Sequence, residues 1–310
     1  MKIVIITSSY NRPILLERLA KIIVPILLRY EGKIKWRIFI DGDDEGYKSL
    51  LTKLNNQISS LDLFQWSAHK NLGKFKTLVK GLNEQKNNCD WMVNIDDDDL
   101  LIDYKFYSII DQIKKIDLDI KAVICPRLIL NLPLYSFKRF RKKKLFRKCH
   151  NQKMSYFEFK KIIGDYDTTI FIKSPSFDYN EPDELSEDTF TAESLLYLES
   201  FSNDKMFFVN ENIVYSQYLH SGLTEKSRIN RIKNPASSQA IYKKFIESGK
   251  DFSNSIYYLK CLINFHRFGL HNKKKTDLNE YNIFFLKNLI SKIVGSFLYL
   301  IDIFIIKISK

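Results

Sequence analysis

Four aspartates in a row, Asp96-Asp97-Asp98-Asp99, follow the apolar run Trp91-Met92-Val93-Asn94-Ile95. A run this apolar is expected as a buried strand, so the acids sit where it emerges at a sheet edge. Four adjacent carboxylates repel one another, and the end of a buried strand has no structural use for them. A hard divalent cation such as Mg²⁺ or Mn²⁺, which prefers carboxylate oxygens, removes the difficulty. The competing reading is an acidic turn, with an Asp as N-cap of a helix running from Leu100 onwards.

The elements around the acids decide between the two. Lys2-Ile3-Val4-Ile5-Ile6-Thr7 has the β-branched content of a buried strand. Ser8 to Arg12 is a polar turn, and Pro13 suits the first turn of a helix. That helix carries Leu15, Leu16, Leu19, Ile22 and Ile23, with a break expected near Pro25. Trp36-Arg37-Ile38-Phe39-Ile40 is a second strand, closing on Asp41-Gly42-Asp43-Asp44. A helix through Leu50, Leu51 and Leu54 follows, then a short strand around Leu61 to Trp66, the turn His69 to Lys74, and a helical stripe of Phe75, Leu78, Val79 and Leu82. Strands alternating with helices predict a mostly parallel α/β sheet. Ligands of such sheets bind at the carboxyl ends of the strands. Thr7 to Arg12, Asp41 to Asp44 and Asp96 to Asp99 therefore converge on one crevice.

Further on, Phe106, Ile109, Ile110, Ile113 and Ile116 mark a helix, and Ala122-Val123-Ile124-Cys125 a strand. Thr168 to Ile172 is another strand, Leu195, Leu196 and Leu198 lie on a helix, and Met206 to Leu219 holds two more strand-like runs. The basic block at 138–148 lacks any amphipathic order that would bury it and reads as an exposed loop. From about Ala236 the pattern is helical. Ile283 to Ile308 is apolar but interrupted by Lys287, Lys292, Asp302 and Lys307, and its longest uncharged run, Ile293 to Ile301, is too short to span a bilayer. Lysines beside Phe and Ile suit a helix on an anionic membrane surface, and packing on the domain or on a partner subunit suits the pattern equally well.

The 310 residues carry a formal net charge of +13, which favours phosphate-bearing partners: nucleic acid, anionic lipid or phosphorylated small molecules. Cys89, Cys125, Cys149 and Cys261 stand singly, so neither a zinc site nor a disulfide framework is implied, and a reducing cytoplasm fits. The apolar start is too short for a secretory signal and reads as the first strand.

In this order the motifs resemble those of GT-A-fold glycosyltransferases of family 2. Ile5 to Pro13 looks like the opening strand and its Thr-x-Asn-Arg turn, Phe39-Ile40-Asp41-Gly42-Asp43 like the second-strand Asp-Gly segment, and Asn71-Leu72-Gly73-Lys74 like the Asn-Leu-Gly turn. Asn94 to Asp99 is similar to the Asp-x-Asp region, and Ser186-Glu187-Asp188 to the Glu-Asp pair. Two departures stand out. Ile40 replaces the first acid of the usual Asp-Asp-Gly-Ser, and the tract from Asp99 to Asp103 is one residue short, which leaves the register of the metal pair open between neighbouring acids.

The resemblance implies a GT-A domain over 1–225, a helical C-terminal region over 226–310, and a metal-dependent, inverting transfer of a sugar from a nucleotide-sugar donor. The acceptor would be a glycan or lipid-linked saccharide of surface-polysaccharide synthesis. It implies Asp98 as metal ligand for Mn²⁺ or Mg²⁺, with Asp96 as the favoured second acid and His220 as a further candidate on metal or diphosphate. Asp96 and Asp97 would hold the ribose or the metal's waters, and Asp99 would cap the next helix. Asp41 would accept an N–H from the nucleotide base, flanked by Thr7 and Tyr10, while Asn11, Arg12, Asn71 and Lys74 complete the donor site. Asp188 would be the general base, with Glu187 the less favoured neighbour. Arg139 to Lys148, Arg228 and Arg231 are candidate phosphate contacts, and the basic surface would hold the protein at the cytoplasmic face of the membrane. The alternatives are a nucleic-acid-binding protein using the 138–148 loop and a nucleotidyltransferase. The acidic sheet edge opposes the first, so no nucleic acid is expected, and the absence of glycine in Thr7 to Arg12 opposes the second.

Overall fold

The computed structural model describes residues 1–30, 32–58, 63–130, 145–164, 166–179, 185, 190–201, 205–216, 227–273 and 285–308. Four parallel strands form one half of the sheet: β1 (Ile3–Ser9), β2 (Ile34–Asp41), β3 (Phe64–His69) and β4 (Trp91–Asn94), in the order β3-β2-β1-β4. Every residue of β1 and β4 is buried, as their β-branched and aromatic content requires of strands covered on both faces. Helices α1 (Pro13–Arg29), α2 (Lys48–Ile58) and α3 (Lys74–Gln85) connect them. The break expected at Pro25 does not occur, because α1 runs through it. Pro25 and Lys21, the residue one turn earlier whose carbonyl loses its donor, are both exposed, so water can take that acceptor.

The second half of the sheet is mixed. After β5 (Leu100–Leu101) and α4 (Asp103–Ile113) come β6 (Ala122–Ile129), β7 (Gln152–Met154), β8 (Thr168–Lys173), β9 (Met206–Phe208) and β10 (Val214–Ser216). β8 lies antiparallel between β4 and β6, which departs from the purely parallel alternation of the first half. β6 is four residues longer than the apolar run that predicts it. Its first half pairs with β9 and its last three residues, Arg127 to Ile129, pair with β10. β10 in turn pairs with β5, just after the four aspartates. This extension carries Arg127 to the acidic edge.

The chain divides into two compact units. The first comprises 1–154, 165–178 and 204–218 and contains the whole sheet. The second comprises 155–164, 179–203 and 219–310. Its helices are α5 (Tyr156–Ile163), α6 (Ser194–Phe201), α7 (Ser227–Lys233), α8 (Pro235–Ser248), α9 (Ile256–His271) and α10 (Phe285–Ile308). A capping box, Ser155 with Glu158, starts α5, and Phe157 packs against Phe245, Phe252 and Tyr257. The segment Leu286–Lys307 within α10 is, by length and composition, long and apolar enough to cross a bilayer. This corrects the expectation from the longest uncharged run, because an unbroken helix carries the apolar content past Lys292 and Asp302.

Candidate functional site

Asp96 to Asp99 form a tight turn closed from both ends. Asp99 N–H donates to the Asp96 carbonyl at 3.1 Å, and Asp96 N–H donates to Asp99 Oδ2 at 3.2 Å. The turn sends the four carboxyls to different partners. Asp96 receives Lys74 Nζ at 3.1 Å, Arg127 Nη1 at 3.0 Å and Asn94 Nδ2 at 3.0 Å. Asp99 receives the same Arg127 nitrogen at 2.9 Å and the Ser216 hydroxyl at 2.7 Å. Asp97 accepts from Ser9 Oγ at 2.6 Å and lies 3.5 Å from Arg12 Nη1. Asp98, at the tip, is the most exposed of the four, with Arg12 Nη1 at 3.2 Å from its carboxylate and Arg18 Nη2 donating to its carbonyl.

Asp99 is no helix cap, which corrects that expectation. β5 intervenes, Ile102 occupies the N-cap of α4, and the Asp99 side chain is committed to Arg127 and Ser216.

The electrostatics separate acids that are identical in sequence. Burial works against ionisation of Asp96, but Lys74 and Arg127 outweigh it and hold its carboxyl well below the usual range. Burial pushes Asp99 up, since Arg127 is shared with Asp96 and the nearby Asp96 charge adds repulsion. Burial also raises Asp97, to about 6, against the Ser9 hydrogen bond. Asp98 is raised by burial and by Asp96. One oxygen from each of Asp96, Asp98 and Asp99 lies within 4.8 Å of the others. Among the described residues the tetrad is paired with Arg12, Lys74 and Arg127, one cation fewer than the acids. An all-oxygen donor set with more acids than cations fits a hard divalent ion, which Asp96, Asp98 and Asp99 could hold.

The neighbouring strand ends carry Thr7, Tyr10, Asn11, Arg12, Asp41, Asn71 and Lys74 of the expected donor site in the same unit. Asp41, at the end of β2, is buried, and its Oδ1 accepts the Leu72 N–H at 2.7 Å. This ties it to the turn where Asn71 Oδ1 accepts Gly73 N–H at 3.1 Å. Tyr10 is half exposed, and its ring lies where a Cβ on Gly42 would meet it at 3.4 Å. Gly42 has φ +132° and Asn11 φ +52°, so both flanking turns use left-handed backbone. Thr7 is wholly buried and its hydroxyl accepts from Trp36 Nε1 at 3.0 Å, so that hydroxyl is engaged within the sheet. Arg12 and Lys74 are both turned onto the aspartates.

Besides Arg18, which holds the Asp98 carbonyl, four residues were not singled out by sequence reasoning. Tyr47 Oη accepts the Arg12 N–H at 2.8 Å and lies 2.9 Å from Ser9 Oγ, thereby joining the first turn to Asp97 through Ser9. Ser9, Arg127 and Ser216 are the others. Ser9 lies within the polar turn after the first strand, and Arg127 follows Pro126 beyond the apolar run Ala122 to Cys125. Glu187, Asp188, His220 and residues 138–144 of the basic block lie outside the described residues. Arg147 and Lys148 are exposed, whereas Arg228 pairs with Asp302 at 3.1 Å and Arg231 donates to Tyr242 Oη at 3.0 Å, all within the second unit.

No protein-family model matches the sequence, and no curated protein matches it. Solved structures do. S. aureus TarS, residues 1–349, superposes with a TM-score of 0.56 at 12% identity, covering 94% of this chain and 89% of that one. The same protein in complex with UDP-GlcNAc gives 0.55 at 12% identity and the same coverage. The mannosyltransferase PcManGT from Pyrobaculum calidifontis, in complex with GDP-Man and Mn²⁺, gives 0.53 at 13% identity over 97% of this chain and 87% of its own. Likeness at this level of identity concerns the fold, and the fold is the GT-A architecture that the motifs imply.

Proposed function

We propose that the chain is a metal-dependent, inverting glycosyltransferase that takes its sugar from a nucleoside-diphosphate donor. The acceptor we propose is a glycan or a lipid-linked saccharide of surface-polysaccharide synthesis. The observation that carries this reading is the division of labour within the tetrad. Asp98 stands open at the tip, while Asp96 is kept ionised by Lys74 and Arg127. Structural neighbours that bind UDP-GlcNAc, or GDP-Man with Mn²⁺, support it.

In this reading Asp98 and Asp96 hold the ion, with His220 a further candidate ligand. When bound, the ion neutralises diphosphate charge and so favours its departure. Asp41 offers its remaining acceptor capacity to a base N–H, and the exposed Tyr10 ring gives the base an apolar face. Arg12 and Lys74 lie close enough to the acids to exchange a carboxylate for a phosphate oxygen. Asp188, or its neighbour Glu187, takes the proton of the acceptor hydroxyl as that oxygen attacks the anomeric carbon. The bond to the diphosphate breaks with its electron pair leaving on the diphosphate. The donor domain is assigned to 1–225.

A thermal-shift panel of UDP, GDP, UDP-GlcNAc and GDP-Man, with and without Mn²⁺, tests the site. One nucleoside diphosphate should raise the melting temperature only when Mn²⁺ is present. If no nucleotide shifts the melt under either condition, the assignment fails.

A further inference from the structure

The polarity of α10 is inverted. Its inward side carries Asn288, Ser291, Gly295 and Asp302, each committed to the second unit. Asn288 Oδ1 pairs with His266 Nε2 at 3.0 Å, and Ser291 is wholly buried. A Cβ on Gly295 would come within 2.8 Å of the Ile263 carbonyl, so the helices touch backbone to backbone. Asp302, 0% exposed, accepts from Arg267 at 2.6 Å through both oxygens, from Arg228 at 3.1 Å and from His271 at 3.1 Å. The opposite side carries Leu286, Leu289, Ile293, Phe297, Leu300 and Phe304 in steps of three and four. The last four are 62–65% exposed.

A soluble helix normally turns such a stripe inward, and an exposed stripe of this length marks an interaction surface. The segment of 22 residues extends about 33 Å at 1.5 Å per residue. We infer that this face of α10 lies in the plane of an anionic lipid surface, its axis parallel to the membrane. Three features select that occupant. First, the exposed ionisable groups of α10 are Lys292 and Lys307, and its sole acid is buried and neutralised, so the flanks of the stripe are purely cationic. Second, the chain carries +13 overall, so a second copy would bring lysine against lysine, whereas phosphatidylglycerol-type headgroups complement both. Third, the Asp302 cluster binds α10 to α9 and α7, and threading α10 through a bilayer would strand Arg267 and Asp302 without each other. A stripe of apolar side chains above cationic flanks is the pattern of a helix that binds at the interface.

Vesicle binding is read without donor or acceptor, so it stands apart from glycosyl transfer. The full chain should cosediment with vesicles of phosphatidylcholine plus phosphatidylglycerol and far less with phosphatidylcholine alone. Phe297→Ser with Phe304→Ser should weaken binding about tenfold or more, since each ring forfeits its apolar burial. Lys292→Glu with Lys307→Glu, at exposed positions that leave the fold intact, should lower binding to the anionic vesicles alone. Alkaline carbonate should release the bound chain. Equal binding to both vesicle types, or no loss in either variant, would overturn the inference. So would resistance to carbonate, which means a spanning helix, or light scattering in which the Phe pair merely converts a dimer to a monomer.

Discussion

Arg127 Nη1 stands 3.0 Å from Asp96 Oδ2, and the same nitrogen also contacts Asp99 at 2.9 Å. One guanidinium, 9% exposed, thus serves two nearly buried carboxylates from a strand that is not adjacent to β4. The consequence is asymmetry: Asp96 remains ionised while Asp99 is driven towards its neutral form.

Replacing Arg127 by Met leaves two buried acids with one positive neighbour fewer. The expected cost is about 3 kcal/mol, measured as a lower midpoint in urea unfolding. Adding Asp99→Asn should return part of it, because the surplus charge goes with the acid. A fully additive double variant would show that Asp99 is not coupled to Arg127.

Asp98→Ala and Asp188→Asn should fail differently. The first removes the open ligand at the tip, so the Mn²⁺-dependent thermal shift by nucleoside diphosphate should vanish. The second should retain that shift and lose sugar transfer by about two to four orders of magnitude, the usual worth of a general base. Equal loss of donor binding in both would refute the separate roles.

Gly42→Ala should cost about 1–2 kcal/mol. Its φ of +132° disfavours any side chain, while the added Cβ would meet the Tyr10 ring at 3.4 Å, an ordinary contact. Nucleotide binding should persist in Gly42→Ala, whereas Tyr10→Ala should weaken it without the stability loss. Calorimetric melting and nucleotide titration separate the two effects.

The sequence reveals β1, β2, β4 and β8 through dense apolar and β-branched runs, and it brings Asp41 and the tetrad to one sheet edge. Such features are local. It does not reveal which acid does what, since four consecutive aspartates look alike until their partners are known. Those partners come from afar: Ser216 is 117 positions from Asp99, and Arg127 is 31 from Asp96. Pro126 and Arg127 read as the end of a strand, yet β10 and β8 supply pairing that carries β6 past both. Thr7 reads as a ligand residue from its motif, and only the indole of Trp36 across β2 shows its hydroxyl to be engaged.

The second unit should lose stability in acid through His266. Burial lowers its pKa and Lys292 adds to the effect, against the hydrogen bond with Asn288. The Nδ1 atom is buried without a partner, so a second N–H there has no acceptor. Above 6.5, the ordinary value for a histidine, the ring is neutral in both folded and unfolded chains. As pH falls below it the unfolded chain takes up a proton first, and stability drops with acidification. His266→Gln should flatten the slope of melting temperature against pH over that window; an unchanged slope would exclude His266 as its source.

Asp302 is the anchor of α10. Asp302→Ala leaves Arg267, 13% exposed, without its counter-charge and removes the acceptor shared with Arg228 and His271. The expected loss is about 3 kcal/mol, because an uncompensated buried cation is costlier than the absent pair. Replacing both Asp302 and Arg267 by Leu should recover most of it, since apolar packing substitutes for the pair without a desolvation cost. Limited trypsin digestion reads the result directly. Cleavage at Lys292 should accelerate in Asp302→Ala and return near the parent rate in the double variant. Equal acceleration in both would mean that the docking of α10 depends on the ion cluster itself rather than on the charge left behind.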